Sequence, residues 1–219
     1  MIVYHKPAGM LVQADRGFDT DAASELMTYR KEKGEPAQIH VINRLDRPVE
    51  GLVLFAKDSK MAAKLSTELT QKKVEKDYYA IVKGTLPEKK GILKDYLWKN
   101  SKENRTYVFS KDEYELIRQG RVMGKEPRIL AKDIKEAILE YEVLSEKEGR
   151  SLVKIHLITG RHHQIRAQFA NAHCPIYGDS KYGNTERGEF LALCSYHLNI
   201  LDKDFVIQPK NPIYQEFGL

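Results

Sequence analysis

The sequence has little cysteine and no long apolar run. Only Cys174 and Cys194 occur among the 219 residues, too few for the disulfide framework of a small secreted protein. No stretch approaches the roughly 20 apolar residues that cross a bilayer, and the N-terminus lacks the charged and apolar regions of a signal peptide. These absences exclude a disulfide scaffold and a helical membrane protein, and we expect a cytoplasmic protein.

Internal repeats, low-complexity stretches and Gly/Ser/Pro-rich linkers are also absent. Hydrophobic residues make up 42% of the chain and charged residues 31%, which is typical of a folded protein rather than a disordered one. A chain of this length suits one substantial domain. We therefore predict a single domain that spans residues 1–219.

The positive charge is unevenly distributed. The formal net charge is +5, and residues 51–100 alone carry 11 lysines against six acidic side chains. Lysines of this segment could contact the phosphates of a nucleic acid. They include Lys57, Lys60, Lys64, Lys72, Lys73, Lys76 and Lys83. Composition alone favours the simpler interpretation of a solvated, lysine-rich surface.

Hydrophobic periodicity predicts an α+β fold with a mostly antiparallel sheet and a few helices. The continuous apolar run of residues 51–56 predicts a buried strand, and period-two alternation on both sides of residues 146–150 predicts a hairpin. Residues 85–135 are polar and give only a weak signal for a short strand near Tyr107. Helices are predicted over residues 21–33, 59–73 and 160–173, and further strands over residues 2–4, 10–12, 39–42, 76–84, 191–200 and 205–208.

One candidate for chemistry is a turn in which two arginines flank an aspartate. Arg44 and Arg47 bracket Asp46 between two apolar strands. A nearby arginine keeps a carboxylate ionised, and an ionised, fixed carboxylate can act as a nucleophile or stabilise charge. The alternative from this stretch alone is an ordinary structural Arg–Asp turn.

Two other segments carry candidate functional residues. The basic segment of residues 159–166 is expected to open a helix, whose free N–H groups suit an anionic partner. In the strand of residues 76–84, Tyr78 and Tyr79 face opposite ways, so one ring at most can face a site with Asp46. The histidines and cysteines do not have the spacing of zinc ligands, and we expect no metal.

Taken together and in order, four segments resemble the RluA-type family of RNA pseudouridine synthases, and the likeness covers nearly the whole chain. Residues 4–9 are similar to the family's opening Lys-Pro-x-Gly motif, and residues 44–57 to its catalytic-loop motif. Residues 76–84 are similar to its tyrosine strand. Residues 159–166 and 175–183 are similar to its C-terminal signature.

The resemblance implies a pseudouridine synthase fold, with a mixed, mostly antiparallel sheet, flanking helices and a central active-site cleft. It further implies that Asp46 is the catalytic carboxylate, that Arg166 is its ion-pair partner and that Tyr78 packs against the target base. Neither a cofactor nor a metal is needed, and we expect a monomer that binds rRNA or tRNA. The residues expected to bind RNA are Arg44, Arg47, Arg161, His163, Gln164, Lys57, Lys60 and Lys64.

The chain departs from the family pattern in two places. Asn43 stands where most members have histidine, and Val49-Glu50 stands where most have Thr-Ser. The S4-type RNA-binding domain that many relatives carry before the catalytic domain is not expected here. Two alternatives stay open: an RNA-binding or RNA-folding module without catalysis, and a carboxylate glycosidase that would need a second acid, for which Glu50 is nearest.

Overall fold

The computed structural model describes residues 1–14, 20–121, 129–183 and 190–219. Within them the chain forms two compact units, one of Met1–Tyr79 with Phe190–Leu219 and one of Ala80–Glu189. The helices are α1 (Ala22–Glu32), α2 (Ser59–Thr70), α3 (Lys111–Arg118) and α4 (Gln164–Asn171). The strands are β1 (Ile2–Lys6), β2 (His40–Val41), β3 (Glu50–Ala56), β4 (Glu75–Lys83), β5 (Lys90–Asn100), β6 (Arg105–Phe109), β7 (Ile134–Lys147), β8 (Arg150–Leu157), β9 (Leu193–Ile200) and β10 (Lys203–Val206).

The first unit is built around β3. This strand pairs antiparallel with β1 and parallel with β9, and β4 pairs with β9 on the far side. Every residue of β3 is buried, because its two faces enter two hydrophobic clusters. One cluster includes Leu52, Leu54 and Leu65 of α2, and the other includes Phe55 and Leu26 of α1. The buried strand predicted from the apolar run is thereby confirmed.

The second unit contains the last residues of β4 followed by β8, β7, β5 and β6 in sheet order. The predicted hairpin is confirmed as β7 and β8, which pair antiparallel. In residues 85–135 the short strand predicted near Tyr107 is confirmed as β6, but the long strand β5 and the helix α3 were not predicted. Exposed residues alternate with less exposed ones over residues 90–95 of β5, which is the burial pattern of a strand with one face towards solvent. The α+β fold with a mostly antiparallel sheet is confirmed.

The predicted helix over residues 160–173 begins four residues late, at Gln164. The Gln164 side chain accepts hydrogen bonds from the Arg161 backbone N–H at 3.0 Å and from the Thr159 hydroxyl at 2.8 Å. These bonds hold the preceding residues in a loop, and His163 takes a left-handed backbone conformation with φ 51°. His162 therefore lies before α4 and not within it.

No helix in the described parts of the chain is both long enough and apolar enough to cross a membrane.

Candidate active site

The loop that carries Asp46 lies between β2 and β3 and is fixed by a buried lysine. Lys6, the last residue of β1, is fully shielded from solvent. Its ammonium group donates to the carbonyls of Pro7 at 2.9 Å, Met10 at 2.8 Å and Arg47 at 3.2 Å. One cation thus ties the turn after β1 to the Asp46 loop, because it donates to backbone acceptors in both segments.

Further hydrogen bonds hold the loop at both of its ends. The Gly9 N–H donates to the Arg47 carbonyl at 2.8 Å, and the Arg47 Nε donates back to the Gly9 carbonyl at 3.0 Å. At the start of the loop, the Asn43 side chain accepts from the Leu54 N–H at 2.7 Å. Asn43, the first departure from the family pattern, therefore anchors the loop to β3.

The pKa of Lys6 is affected by two nearby carboxylates. Burial lowers the pKa of Lys6 to about 8, and the negative charges of Asp46 and Glu50 oppose this shift. An ammonium group with a pKa of about 8 is still mostly protonated at neutral pH. Asp46, which is half-buried, therefore lies near a fixed positive charge, the Lys6 ammonium group that holds its loop.

A close approach of β3 and β9 brings Tyr78 to the same region. Gly51 has φ +139°, and a Cβ atom there would lie 2.5 Å from the Ser195 carbonyl oxygen. Only glycine permits this contact directly after the Asp46 loop. Ser195 of β9 lies next to Tyr78 of β4, and the two side chains interact. The β3 and β9 backbones thus place the loop end beside Tyr78.

The electrostatic surroundings of Tyr78 limit what its hydroxyl can do. Burial and, to a smaller extent, the negative charge of Asp46 raise the pKa of Tyr78 to about 12, although the Ser195 side chain acts in the opposite direction. The phenol is therefore neutral at physiological pH and suits ring packing and hydrogen-bond donation better than proton abstraction. Tyr79 instead stacks on Tyr196, with ring centroids 3.8 Å apart.

Glu50, part of the second departure from the family pattern, is a buried structural carboxylate. Its oxygens accept from the Lys210 backbone N–H at 3.0 and 3.2 Å, and one of them lies 2.8 Å from the His5 Nε2. These contacts occupy the carboxylate, so it does not provide the free second acid that a glycosidase requires.

The two cysteines do not have the character of nucleophiles. Both thiols are buried. Burial raises the pKa of Cys174 and of Cys194, and the nearby Glu50 charge adds to the shift at Cys194. A thiol that stays protonated is a poor nucleophile.

Arg166 lies in α4 of the second unit and forms a buried, bidentate ion pair with Asp179. Its Nε is 2.8 Å from Asp179 Oδ2, and its Nη2 is 2.9 Å from Asp179 Oδ1. Burial raises the pKa of Asp179, but the hydrogen bonds and charge of Arg166 outweigh it and hold the pKa below its usual value. Asp179 was part of a recognised motif, yet sequence reasoning gave it no role.

Tyr182 and His163 complete the surroundings of Arg166. The guanidinium group of Arg166 lies 5.3 Å from the Tyr182 ring centre. The Tyr182 hydroxyl accepts from the Thr106 N–H at 2.7 Å and lies 2.8 Å from His163 Nδ1. This network fixes the position of Arg166 within the second unit. The pairing of Arg166 with Asp46 stays a prediction.

The residues expected to bind RNA have different surroundings. Arg44, Lys60, Lys64 and Arg161 are exposed, and the Arg161 Nε donates to the Glu136 carbonyl. Lys57 pairs with Glu35 at 3.1 Å, and Arg47 binds the Gly9 loop. His163 and Gln164 are buried, and their contacts favour a supporting role for both.

Within the described residues, no group of three or more His, Cys, Asp or Glu could hold a metal ion.

Comparisons with known proteins identify the family of the chain. Residues 1–171 match the family model of RNA pseudouridylate synthases. The chain is 33% identical over 202 residues to the tRNA pseudouridine synthase C of Haemophilus influenzae, covering 87% of this chain and 75% of that protein. It is 28% identical over 224 residues to the ribosomal large subunit pseudouridine synthase C of Rickettsia prowazekii, covering 98% of this chain and 66% of that protein.

A solved structure with the same fold is human RNA Pseudouridylate Synthase Domain Containing 4. It is matched with a TM-score of 0.77 at 21% identity, over 98% of this chain and 88% of that chain. The chain belongs to the RNA pseudouridylate synthase family and is a pseudouridine synthase, an isomerase that acts on RNA.

Proposed function

We propose that this enzyme converts specific uridines of structured RNA to pseudouridine with Asp46 as its catalytic carboxylate. The reaction breaks the bond between N1 of the base and C1′ of the sugar, turns the base and joins C5 to C1′. The proton on C5 leaves, and N1 takes up a proton, so the base keeps its composition. A carboxylate beside C1′ meets the chemical need of this exchange.

The fixed position of Asp46 is the observation that carries this proposal. Hydrogen bonds of Lys6, Asn43 and Gly9 hold the loop. Asp46 is near enough to Tyr78 and Lys6 to affect the pKa of both. Fixing a reacting group in this way lowers the entropic part of the barrier. Tyr78 supplies the ring against which a flipped-out base packs.

Arg166 is the proposed ion-pair partner of Asp46. Asp179 and Tyr182 hold its guanidinium group in the second unit, which leaves the planar group oriented before RNA binds. An arginine with a fixed orientation loses less side-chain entropy when it binds a carboxylate.

The proposed substrates are tRNA and 23S rRNA, because relatives are named for tRNA and for large-subunit rRNA. Arg44 is exposed two residues before Asp46 and is proposed to replace or hold the flipped uridine. Lys60 and Lys64 lie one helical turn apart on α2 and are proposed to contact phosphates.

The substrate is tested by mapping pseudouridine in transcripts of tRNA and 23S rRNA after incubation with the purified protein. New pseudouridine at defined positions is expected with the wild type. A protein that modifies neither RNA class contradicts the proposed substrates. Asp46→Asn serves as the catalytic control and is expected to form none.

A further inference from the structure

The C-terminal segment, residues 207–219, belongs to the first unit and contacts the rest of it at two points that border the proposed site. It follows β10 and begins with a hydrogen bond from the Ile207 N–H to the Tyr196 carbonyl at 2.9 Å. The Asn211 side chain accepts from the Ile213 N–H at 3.1 Å and starts a short 3₁₀ helix over Pro212–Phe217. This segment lies beyond residues 1–171, which match the family model.

The first contact is made through Glu50, directly after the Asp46 loop. The Lys210 N–H donates to both oxygens of the Glu50 carboxylate, and the same carboxylate lies against His5 of β1. Glu50 is 6% exposed and pairs in register with Cys194 of β9. The end of the loop is therefore joined to β1 and to the C-terminal segment through one side chain.

The second contact is made through Tyr214, next to Tyr78. Tyr214 is 1% exposed, and its hydroxyl donates to the Tyr79 carbonyl at 3.0 Å. Tyr79 directly follows Tyr78 in β4, so this bond restrains the strand at the proposed base-packing ring. Burial raises the pKa of Tyr214 well above its ordinary value, which keeps the phenol a hydrogen-bond donor throughout the physiological range.

We propose that Glu50 and Tyr214 are positioning residues, through which the C-terminal segment sets the Asp46 loop and the Tyr78 strand in their reactive arrangement. The proposal rests on the proposed function of Asp46 and Tyr78. From this one segment, the Lys210 N–H reaches the Glu50 carboxylate at the end of the loop, and the Tyr214 hydroxyl reaches the Tyr79 backbone carbonyl beside Tyr78. Supports of this kind act on rate, because small displacements of reacting groups slow the chemical step.

Tyr214→Phe is the sharpest variant, because it removes one hydrogen bond and keeps the buried ring. Its single-turnover rate at saturating RNA is expected to fall by about 3- to 10-fold, the loss of one buried hydrogen bond expressed at the transition state. The RNA dissociation constant is expected to change less than about twofold, since the hydroxyl is not exposed to RNA. The matched control is Tyr141→Phe, which removes the hydroxyl of a buried tyrosine in the second unit.

Glu50 is tested with a conservative pair of variants. Glu50→Gln keeps an acceptor for the Lys210 N–H and is expected to retain a rate within about threefold of the wild type. Glu50→Leu removes the acceptor and is expected to lose about 10-fold or more. Thermal unfolding of each variant shows whether the fold is intact. If Glu50→Leu fails to fold, Tyr214→Phe alone tests the proposed positioning role of the C-terminal segment.

The proposal is overturned if Tyr214→Phe reacts as fast as the wild type and the Tyr141→Phe control. It is also overturned if both positions change RNA affinity and leave the rate unaffected. A wild-type protein that forms no pseudouridine would instead contradict the proposed function. The two failures are therefore distinguishable within the same set of reactions.

Discussion

At the scale of single residues, Lys6 shows how a recognised motif gains a physical role. The sequence identified Lys6 only as part of a motif, and the structure shows a solvent-shielded ammonium group bound to three carbonyls. Lys6→Met removes all three of these hydrogen bonds and is expected to lower the free energy of unfolding by about 3 kcal/mol. Urea denaturation measures this change.

The control for Lys6 is Lys60→Met, which alters an exposed lysine of α2. It is expected to change the free energy of unfolding by no more than about 0.5 kcal/mol. Equal effects of the two substitutions would show that Lys6 does not support the loop.

The sequence predicts Asp46 and Tyr78 as site residues because each belongs to a motif with a recognisable spacing. Asp179 was not assigned as the partner of Arg166, since a distance of 13 residues across a helix end and a loop has no characteristic period. The surroundings of Gln164 were missed for a related reason. Its hydrogen bonds to Thr159 and Arg161 replace helical backbone bonds, and side-chain competition of this kind is not visible in hydrophobic periodicity.

At the scale of secondary-structure elements, Gly51 sets how closely β3 and β9 approach. Gly51→Ala would combine a backbone angle unfavourable for alanine with an overlap against the Ser195 backbone. We expect a loss of about 2–4 kcal/mol in the free energy of unfolding. Gly34→Ala is the matched control, because Gly34 has φ +70° but no atom within 4 Å of an added Cβ, and about 1 kcal/mol is expected. Similar losses at both positions would contradict the close-approach argument.

Three strands meet at His197, whose ring lies between two carboxylates. Nδ1 is 2.9 Å from Asp77 of β4, and Nε2 is 2.7 Å from Asp204 of β10. Burial lowers the pKa of His197, but the hydrogen bonds and charges of Asp204 and Asp77 outweigh this effect. The pKa of His197 is therefore above the ordinary 6.5. A raised pKa in the folded state means that protonated His197 stabilises the fold.

This stabilisation is complete below pH 6.5 and is lost as the pH rises through the raised folded-state pKa of His197. The difference in free energy of unfolding between the wild type and His197→Gln should therefore shrink as the pH rises from 6.5 into the alkaline range. Denaturation curves at a series of pH values measure it. A difference that is constant with pH would contradict the charged pairing.

Elements with a uniform burial pattern were predictable, and elements with a mixed pattern were not. β3 has no charged side chain after Glu50. α1 begins at Ala22, directly after Asp21, whose side chain accepts from the Ser24 N–H at 2.9 Å as a helix cap does. β5 is more exposed on one face than on the other over its first half and carries three lysines. Its strand character comes from pairing with β6 and β7, which are tertiary contacts that local composition does not encode.

At the scale of the whole molecule, the prediction of a single domain has a thermodynamic consequence. The chain forms two compact units, and β4 contributes residues to both. We expect one cooperative thermal transition whose calorimetric and van't Hoff enthalpies agree. Differential scanning calorimetry provides the measurement, and two separate transitions would contradict the single-domain prediction.

The central claim is that Asp46 isomerises uridine within RNA, and tritium release tests it most directly. Formation of the C5–C1′ bond expels the hydrogen on C5, so RNA labelled with tritium at uridine C5 releases label to water in proportion to turnover. The wild type is expected to release tritium from tRNA or 23S rRNA transcripts. Asp46→Asn should release none while it still binds the RNA. Equal release by both proteins, or no release from either RNA class, would contradict the account.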